Sequence, residues 1–320
     1  MNSLDEFKLI ERLIPMLHGN SRVVAGAGDD CAVLDLGLAE EWLLFKTDAV
    51  VEGIHFTPET PPSAIGHKAL ARALSDVAAM AGTPVAALVT LALPPGFDPE
   101  RVVGIYSGLN ALAARYDVAV AGGETTTNPD RLLLSVSVLG KAPKKSCVLR
   151  SGAQAGDALF VTGELGGSLA GKHLDFEPRL REAAWLAEHY KPTAMMDLSD
   201  GLAGDLRHML AANGLGAEIL KTAVPVSKAA REGARERAQN GAGNKTALDA
   251  ALSDGEDFEL LFTVAPGRSV ALMDAWKMKF PGLKLSCIGR MRRGEGIVLR
   301  DKSGFHILKS KGYEHFKQPG

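Results

Sequence analysis

Asp29, Asp30, Asp48, Asp76, Glu124, Asp197 and Asp200 lie in short stretches with glycines or small side chains close by, where carboxylates can be presented rather than merely solvated. If several of them met without cations, repulsion would dominate. One close carboxylate pair costs about 4 kcal/mol at intermediate dielectric, and a larger group would have to take up protons. Divalent ions reverse that sign. Magnesium takes oxygen ligands and commonly shares them with phosphate, so a polyphosphate would complete the coordination. The pattern favours a multi-magnesium nucleotide site over an acid–base carboxylate pair. Each residue also has a plainer role: Asp48 as a turn residue, Asp76 as an i−4 partner of Arg72, and Ser199 or Asp200 as a helix cap. A cap, however, uses one polar residue, and the stretch DLSD offers three. No H-E-x-x-H, G-x-S-x-G or Cys-His pattern competes.

The elements that would hold these residues follow from periodicity. WLLFKTDAVVEGIHF (42–56) predicts a buried strand over 42–47 that delivers Asp48 at its exit, with Glu52, Gly53 and His55 following. Residues 31–36 form a second strand after Gly28-Asp29-Asp30. Its G-x-G lacks the third glycine and the following helix of a dinucleotide fingerprint. Ser63 is placed to cap a helix reaching Ala81, with Ile65, Ala69, Leu70, Ala73, Val77 and Met80 on its apolar side and Asp76 late within it. A strand over 85–93 follows, then a helix opened by Asp98-Pro99 and running to Tyr116. A short strand over 118–121 ends in GGETTT, and another spans 132–139. This mixture of strands and long helices gives an α/β or α+β class.

The polar segment KAPKKS (141–146) is the candidate boundary, giving domains 1–142 and 143–320. The second half predicts a strand over 158–162, the glycine-rich GELGGSLAGK, a helix over 179–190, and a helix over 202–212 closed by Asn213-Gly214. The spacing from Gly166 to Lys172 imitates a P-loop, but His173 stands where Ser or Thr would be needed, which rejects it. That leaves a glycine-rich turn for close packing or for a phosphate. Residues 227–249 are a surface helix and loop, and SDGEDFELLF (253–262) leads three acids into a strand. His173, His189 and His208 are structural.

Composition sets the outer limits. The 320 residues carry a net charge of −2, with 46% apolar and 23% charged side chains, an ordinary globular balance with no basic patch for nucleic acid or membrane. Cys31, Cys147 and Cys287 are dispersed, without a C-x-x-C pair, which suits a reducing cytoplasm. The first residues lack the pattern of a signal peptide, and Phe7, Ile10, Leu13 and Ile14 instead form a helical stripe.

GDDCAVLDL, KTDAVVEGIHF, KALARALSDVAAMAG, GGETT, RSGAQAGDALFVTGELGGS, MMDLSDGLAGDL and DGEDFELLF, in this order and spacing, resemble the thiamine-monophosphate kinase family, within the superfamily of aminoimidazole ribonucleotide synthetase. The resemblance covers nearly the whole chain. It implies a two-domain aminoimidazole ribonucleotide synthetase-like fold and a homodimer whose N-terminal strands form a sheet or barrel spanning the subunits. The N-terminal domain would bind ATP and magnesium. The activity implied is transfer of the ATP γ-phosphate to thiamine monophosphate, in the cytoplasm, using several Mg2+ ions, with K+ a further candidate. The metal positions implied are Asp30, Thr47, Asp48, Asp76, Glu124, Asp197 and Asp200. Nucleotide contacts fall on Tyr106, Gly123, Glu124, Arg150 and Ser199, and thiamine phosphate contacts on His55, Glu256 and Tyr313. Arg150 would stabilise charge, and no residue is implied as a nucleophile.

Three positions depart from the family pattern. Glu124 stands where Asp is usual, Asp5 replaces a glycine, and Lys46 replaces a small hydroxyl residue. Lys46 lies two residues from Asp48 on the same strand face, so its ammonium can substitute for part of a cation's charge. The rivals are another ATP-dependent enzyme of the superfamily, such as a selenophosphate synthetase, and a metal-dependent nucleotide sensor that transfers nothing. Cys31 lacks the lysine-partnered setting that the selenophosphate enzyme would need.

Overall fold

A computed structural model describes residues 6–308. The chain divides into two compact units. The N unit comprises Asp30–Leu149 and Gly171–Lys191, and the C unit comprises the residues through Asp29, Arg150–Ala170 and those from Pro192 onward. Both are mixed α/β.

In the N unit, β2 (Ala32–Leu34), β3 (Glu41–Val51), β4 (Thr83–Leu93), β5 (Ala119–Thr127) and β6 (Leu133–Pro143) lie in the order β2-β3-β6-β4-β5. Only the β4–β5 pair is parallel. One face is covered by α2 (Pro62–Ala79), against which α3 (Pro99–Arg115) packs. The predicted apolar side of α2, from Ile65 to Met80, is buried. The two helices touch backbone to backbone. A Cβ at Gly66 would stand 1.8 Å from the Ile105 carbonyl oxygen, and one at Gly108 would stand 1.9 Å from that of Ser63. On the other face Phe45, Leu88 and Leu139 are exposed, with Phe45 opposite Leu139 across β3 and β6. Two short helices, α4 (Lys172–Asp175) and α5 (Leu180–His189), complete this unit from the second half of the sequence. Their linking residues are tied in. His67 Nε2 lies 2.8 Å from the Phe176 carbonyl, and the Tyr116 hydroxyl donates to Glu177 at 2.7 Å.

The C unit begins with α1 (Glu6–Leu13) and the short β1 (Val23–Ala25). Its sheet runs β13-β12-β9-β11-β7-β10-β8, built from β7 (Ala158–Thr162), β8 (Ala194–Asp197), β9 (Gly216–Leu220), β10 (Leu260–Val264), β11 (Leu285–Arg292), β12 (Ile297–Asp301) and β13 (Gly304–Ile307). The β7, β8 and β10 strands are buried throughout. With α6 (Leu202–Asn213) and α8 (Ala247–Ser253) they form a core around Leu159, Met196, Leu206, Leu252 and Leu261. Two further helices, α7 (Lys228–Asn240) and α9 (Ser269–Lys279), complete the unit.

Several boundaries differ from the sequence expectation. The Trp42 strand does not end at Asp48 but continues to Val51, because residues 48–51 stay paired with β6, Asp48 opposite Val136. GGETTT likewise belongs to β5, paired with β4 through Thr127. Ser63 does not cap α2. The helix begins at Pro62, whose fixed φ suits a first helical position. Asp98 does cap α3, accepting from the Glu100 N–H at 3.0 Å. The Leu9, Ile10, Leu13 and Ile14 side chains of the first helix and the following turn are exposed.

Candidate active site

The geometry of β3 and α2 decides which acids of the N unit meet. Along β3, Leu44, Lys46, Asp48 and Val50 alternate toward the helices, while Phe45, Thr47 and Ala49 face the exposed side. The last full turn of α2 brings Asp76, 6% exposed, over the first of these rows. Lys46 Nζ lies 3.0 Å from Asp76 Oδ1 and 3.7 Å from Asp48 Oδ1. Asp30, 1% exposed, joins from the start of β2. Oxygens of Asp30 and Asp76 approach within 4.8 Å. Burial opposes the ammonium charge of Lys46, but Asp76, Asp48 and Asp30 outweigh it and hold its pKa well above the ordinary lysine value. The expected gathering of Asp30, Asp48 and Asp76 is therefore present, and Asp76 meets Lys46 across the layer.

Thr47 and Glu124 are placed elsewhere. The Thr47 hydroxyl sits on the exposed face, 3.3 Å from Ser135 Oγ and accepting from Ser137 Oγ at 3.0 Å. Register carries Ala49 to Ser135, Thr90 and then Glu124, three strand spacings away. That is about 14 Å, too far for Glu124 and Asp48 of one chain to share an ion. Glu124 instead lines an open cavity of about 410 Å3 with Tyr106, Asn110, Val120, Gly122, Gly123, Val89 and Thr125. The three N-unit residues expected at the nucleotide, Tyr106, Gly123 and Glu124, thus share one pocket. Gly123 is required there, since a Cβ would stand 1.8 Å from the Val89 carbonyl oxygen. Burial raises the Tyr106 phenol above its ordinary pKa.

His55 lies in a tight turn beyond β3. Its Nδ1 accepts from the Val51 N–H at 3.1 Å, leaving Nε2 as the protonated nitrogen. Lys68, fully buried in α2, donates to the His55 carbonyl at 2.7 Å and lies 2.7 Å from His173 Nδ1. Its sequence signal is a lysine flanked by Ile65, Ala69 and Leu70 on the buried side of α2.

In the C unit, the strand end of β8 presents Asp197, Ser199 and Asp200, and the turn before β10 is laced to it. The Glu256 N–H donates to the Ser199 carbonyl at 2.6 Å, and Phe258 N–H to that of Leu198 at 2.8 Å. Glu256 and Phe258 adopt positive φ, 57° and 49°, an uncommon backbone state for such side chains. Neither Ser199 nor Asp200 caps α6, whose first flanking residue is Gly201. Asp205 from α6 was not anticipated. Its Oδ2 accepts from the Asp200 N–H at 3.0 Å. Burial first, then repulsion from Asp200 and Asp197, raises its pKa well above an ordinary carboxyl, with Arg150 acting in the opposite sense. The Arg150 N–H is held by Asp29 at 3.2 Å. The glycine-rich turn resolves toward packing, because the Gly166 N–H donates to Asp257 at 2.9 Å and the Gly167 N–H to Asp254 at 2.8 Å. These donors are spent on carboxylates. Tyr313 lies outside the described residues.

Residues 28–142 match the AIR synthase related protein N-terminal domain and residues 154–302 the corresponding C-terminal domain. A thiamine-monophosphate kinase of Rhodopirellula baltica is 38% identical, with 95% of this chain and 96% of that protein covered. The chain belongs to the thiamine-monophosphate kinase family. The family member of Escherichia coli K12 is 34% identical over 98% of this chain and 99% of its own length. A solved structure of AaThiL complexed with AMPPCP and TMP shares the fold at a TM-score of 0.81 and 30% identity, covering 99% of this chain and 98% of that one. No described helix is long and apolar enough to cross a membrane.

Proposed function

We propose that this chain transfers the γ-phosphoryl group of ATP directly to the phosphate of thiamine monophosphate, giving thiamine diphosphate and ADP. The observation that carries this reading is the meeting of Asp30, Asp48 and Asp76 at Lys46 in a chain of this family. Family relatives bear the kinase name, and the AaThiL complex holds an ATP analogue with TMP. The N-unit donors suit magnesium: they are hard carboxylate oxygens, and those of Asp30 and Asp76 lie within 4.8 Å. Ligands on opposite sides of one such ion stand about 4.2 Å apart, so a small closure suffices. Asp30, Asp48 and Asp76, and in the C unit Asp197 and Asp200, are the proposed metal ligands; the Thr47 hydroxyl lies on the opposite face of β3 and is not among them, and Glu124 is too distant to join Asp48 within one chain. Bound magnesium would neutralise phosphate oxygens during transfer.

The chain's own groups then have limited tasks. The acceptor phosphate is already anionic at neutral pH, so no side chain need remove a proton. Arg150 is assigned to charge stabilisation of the transferring group, with Ser199 at the nucleotide. Tyr106 and Gly123 shape the nucleotide pocket, while His55, Glu256 and Tyr313 are assigned to thiamine phosphate. The separation of Glu124 from Asp48 supports a homodimer in which Glu124 of one protomer serves the carboxylates of the other, and the exposed Phe45 and Leu139 face supports association through the N-terminal strands. The protein is assigned to the cytoplasm, consistent with its dispersed cysteines.

ADP release measured with and without thiamine monophosphate tests the activity, with K+ varied as a second axis. Release that depends on thiamine monophosphate, with thiamine diphosphate formed in equal amount, is expected. Nucleotide binding without turnover would instead identify a sensor, and trapping of a phosphorylated protein intermediate would refute direct transfer.

A further inference from the structure

Lys46 holds the point where acids from a strand and a helix converge. Its Nζ is 3.0 Å from Asp76 on α2 and 3.7 Å from Asp48 on β3. Its side chain is 23% exposed, and those of Asp48 and Asp76 are 19% and 9% exposed. This is not a pair of loose surface side chains. Two carboxylates from different elements aim at one cation, as ligands do around an ion, and Asp30 stands beside them. Counting the acids of the N unit alone, the formal charge of Asp30, Asp48 and Asp76 together with Lys46 is −2, which one divalent ion would balance. Without the lysine the charge is −3, and a single divalent ion would leave an uncompensated anion in a largely buried setting, which is costly.

We propose that Lys46 is a resident cation that takes the place of one divalent ion between Asp48 and Asp76, so that this protein binds one metal ion fewer than the same acids would bind alone. The inference rests on the kinase reading above. It competes with a second arrangement, in which the ammonium is only a placeholder that swings away as metal enters. A lysine has the flexibility for this. The two differ in what happens when the charge is removed. A resident cation leaves a vacancy that metal fills, whereas a placeholder leaves the number of ions unchanged and merely eases their binding.

The test counts ions on the full chain. Metal-stripped wild type, Lys46→Met and Lys46→Arg are titrated with Mn2+, following the electron paramagnetic resonance signal of the unbound ion. Lys46→Met should bind one Mn2+ per chain more than wild type, and Lys46→Arg should match wild type because it retains the charge. In EDTA, Lys46→Met should melt below wild type, and Mn2+ should close most of that gap. If Lys46→Met does not survive stripping, it and wild type are purified in Mn2+ and the retained ions are counted after desalting, with the same expected difference. An unchanged ion count with tighter binding would overturn the proposal in favour of the placeholder. Wild type that binds no Mn2+ and shows no thiamine monophosphate-dependent ADP release would remove the kinase reading itself, a result distinct from an unchanged count.

Discussion

Asp76→Asn separates a structural from a catalytic role for the acid of the N-unit cluster that pairs most closely with Lys46. At an effective dielectric of about 20, the 3.0 Å approach of Lys46 to Asp76 corresponds to about 5.5 kcal/mol, and the 3.7 Å approach to Asp48 to about 4.5 kcal/mol. Desolvation offsets much of this. Breaking a buried pair by removing one partner costs about 3–5 kcal/mol. Here Lys46 keeps Asp48 and some access to water, and the Asn amide can still accept a hydrogen bond. The net cost should therefore be about 1–3 kcal/mol, a fall in Tm of roughly 2–8 °C. At 25 °C the variant should be folded. Turnover should nevertheless fall about 10²–10³-fold or more if Asp76 is the proposed magnesium ligand, because the ion it would hold at the phosphates is lost. ADP release coupled to NADH oxidation at 25 °C, beside a melting curve in the same buffer, measures both quantities. If turnover stays near wild type at 25 °C and declines only as the variant melts, Asp76 is simply the partner that keeps Lys46 inside the protein, and the metal assignment fails.

Three further outcomes follow from other contacts. Because burial and the neighbouring Asp200 and Asp197 raise the Asp205 pKa, the native state holds that proton more tightly than the unfolded chain; its stabilising effect is full below the unfolded pKa and is lost as pH rises toward the native one. In EDTA, Asp205→Asn should therefore gain Tm over wild type at pH 7–8 and show little gain near pH 4, and a difference independent of pH would contradict this. Gly66→Ala should cost roughly 2–4 kcal/mol in denaturant melts, since its methyl would enter the Ile105 carbonyl, whereas Gly282→Ala, with no neighbour within 4 Å, should be near neutral. Tyr106→Ala should raise KM for ATP by up to about tenfold through loss of an aromatic contact in the cavity and leave KM for thiamine monophosphate within about twofold, and equal changes in both would count against a nucleotide role.

Local signals in the sequence were read well where the cause is local. Asp98-Pro99 opens α3, Gly214 closes α6 with a φ of 60°, and the acid-bearing stretches 30, 48 and 76 do meet. What was not legible depends on partners distant in sequence. Whether β3 stops at Asp48 is decided by β6, with which residues 48–51 stay paired. Lys68 is explained by His173, 105 residues on, and Asp205 by a turn whose shape depends on the segment before β10. His173 speaks against a P-loop at Gly166, but the partners of its backbone donors, Asp257 and Asp254, lie in a separate sequence motif about 90 residues on.

The N unit is discontinuous: α4 and α5, encoded after β7, lie against α2. During synthesis, the buried face of α2 and the ammonium of Lys68 must wait for a stretch that leaves the ribosome only after β7, the first strand of the seven-stranded sheet of the other unit. A fragment ending at Leu149 would thus emerge with an unfinished flank, including Lys68 deprived of His173. Such a fragment should be sticky and prone to chaperone capture until residues through Lys191 are supplied, so the gene cannot be cut cleanly into two consecutive self-sufficient pieces.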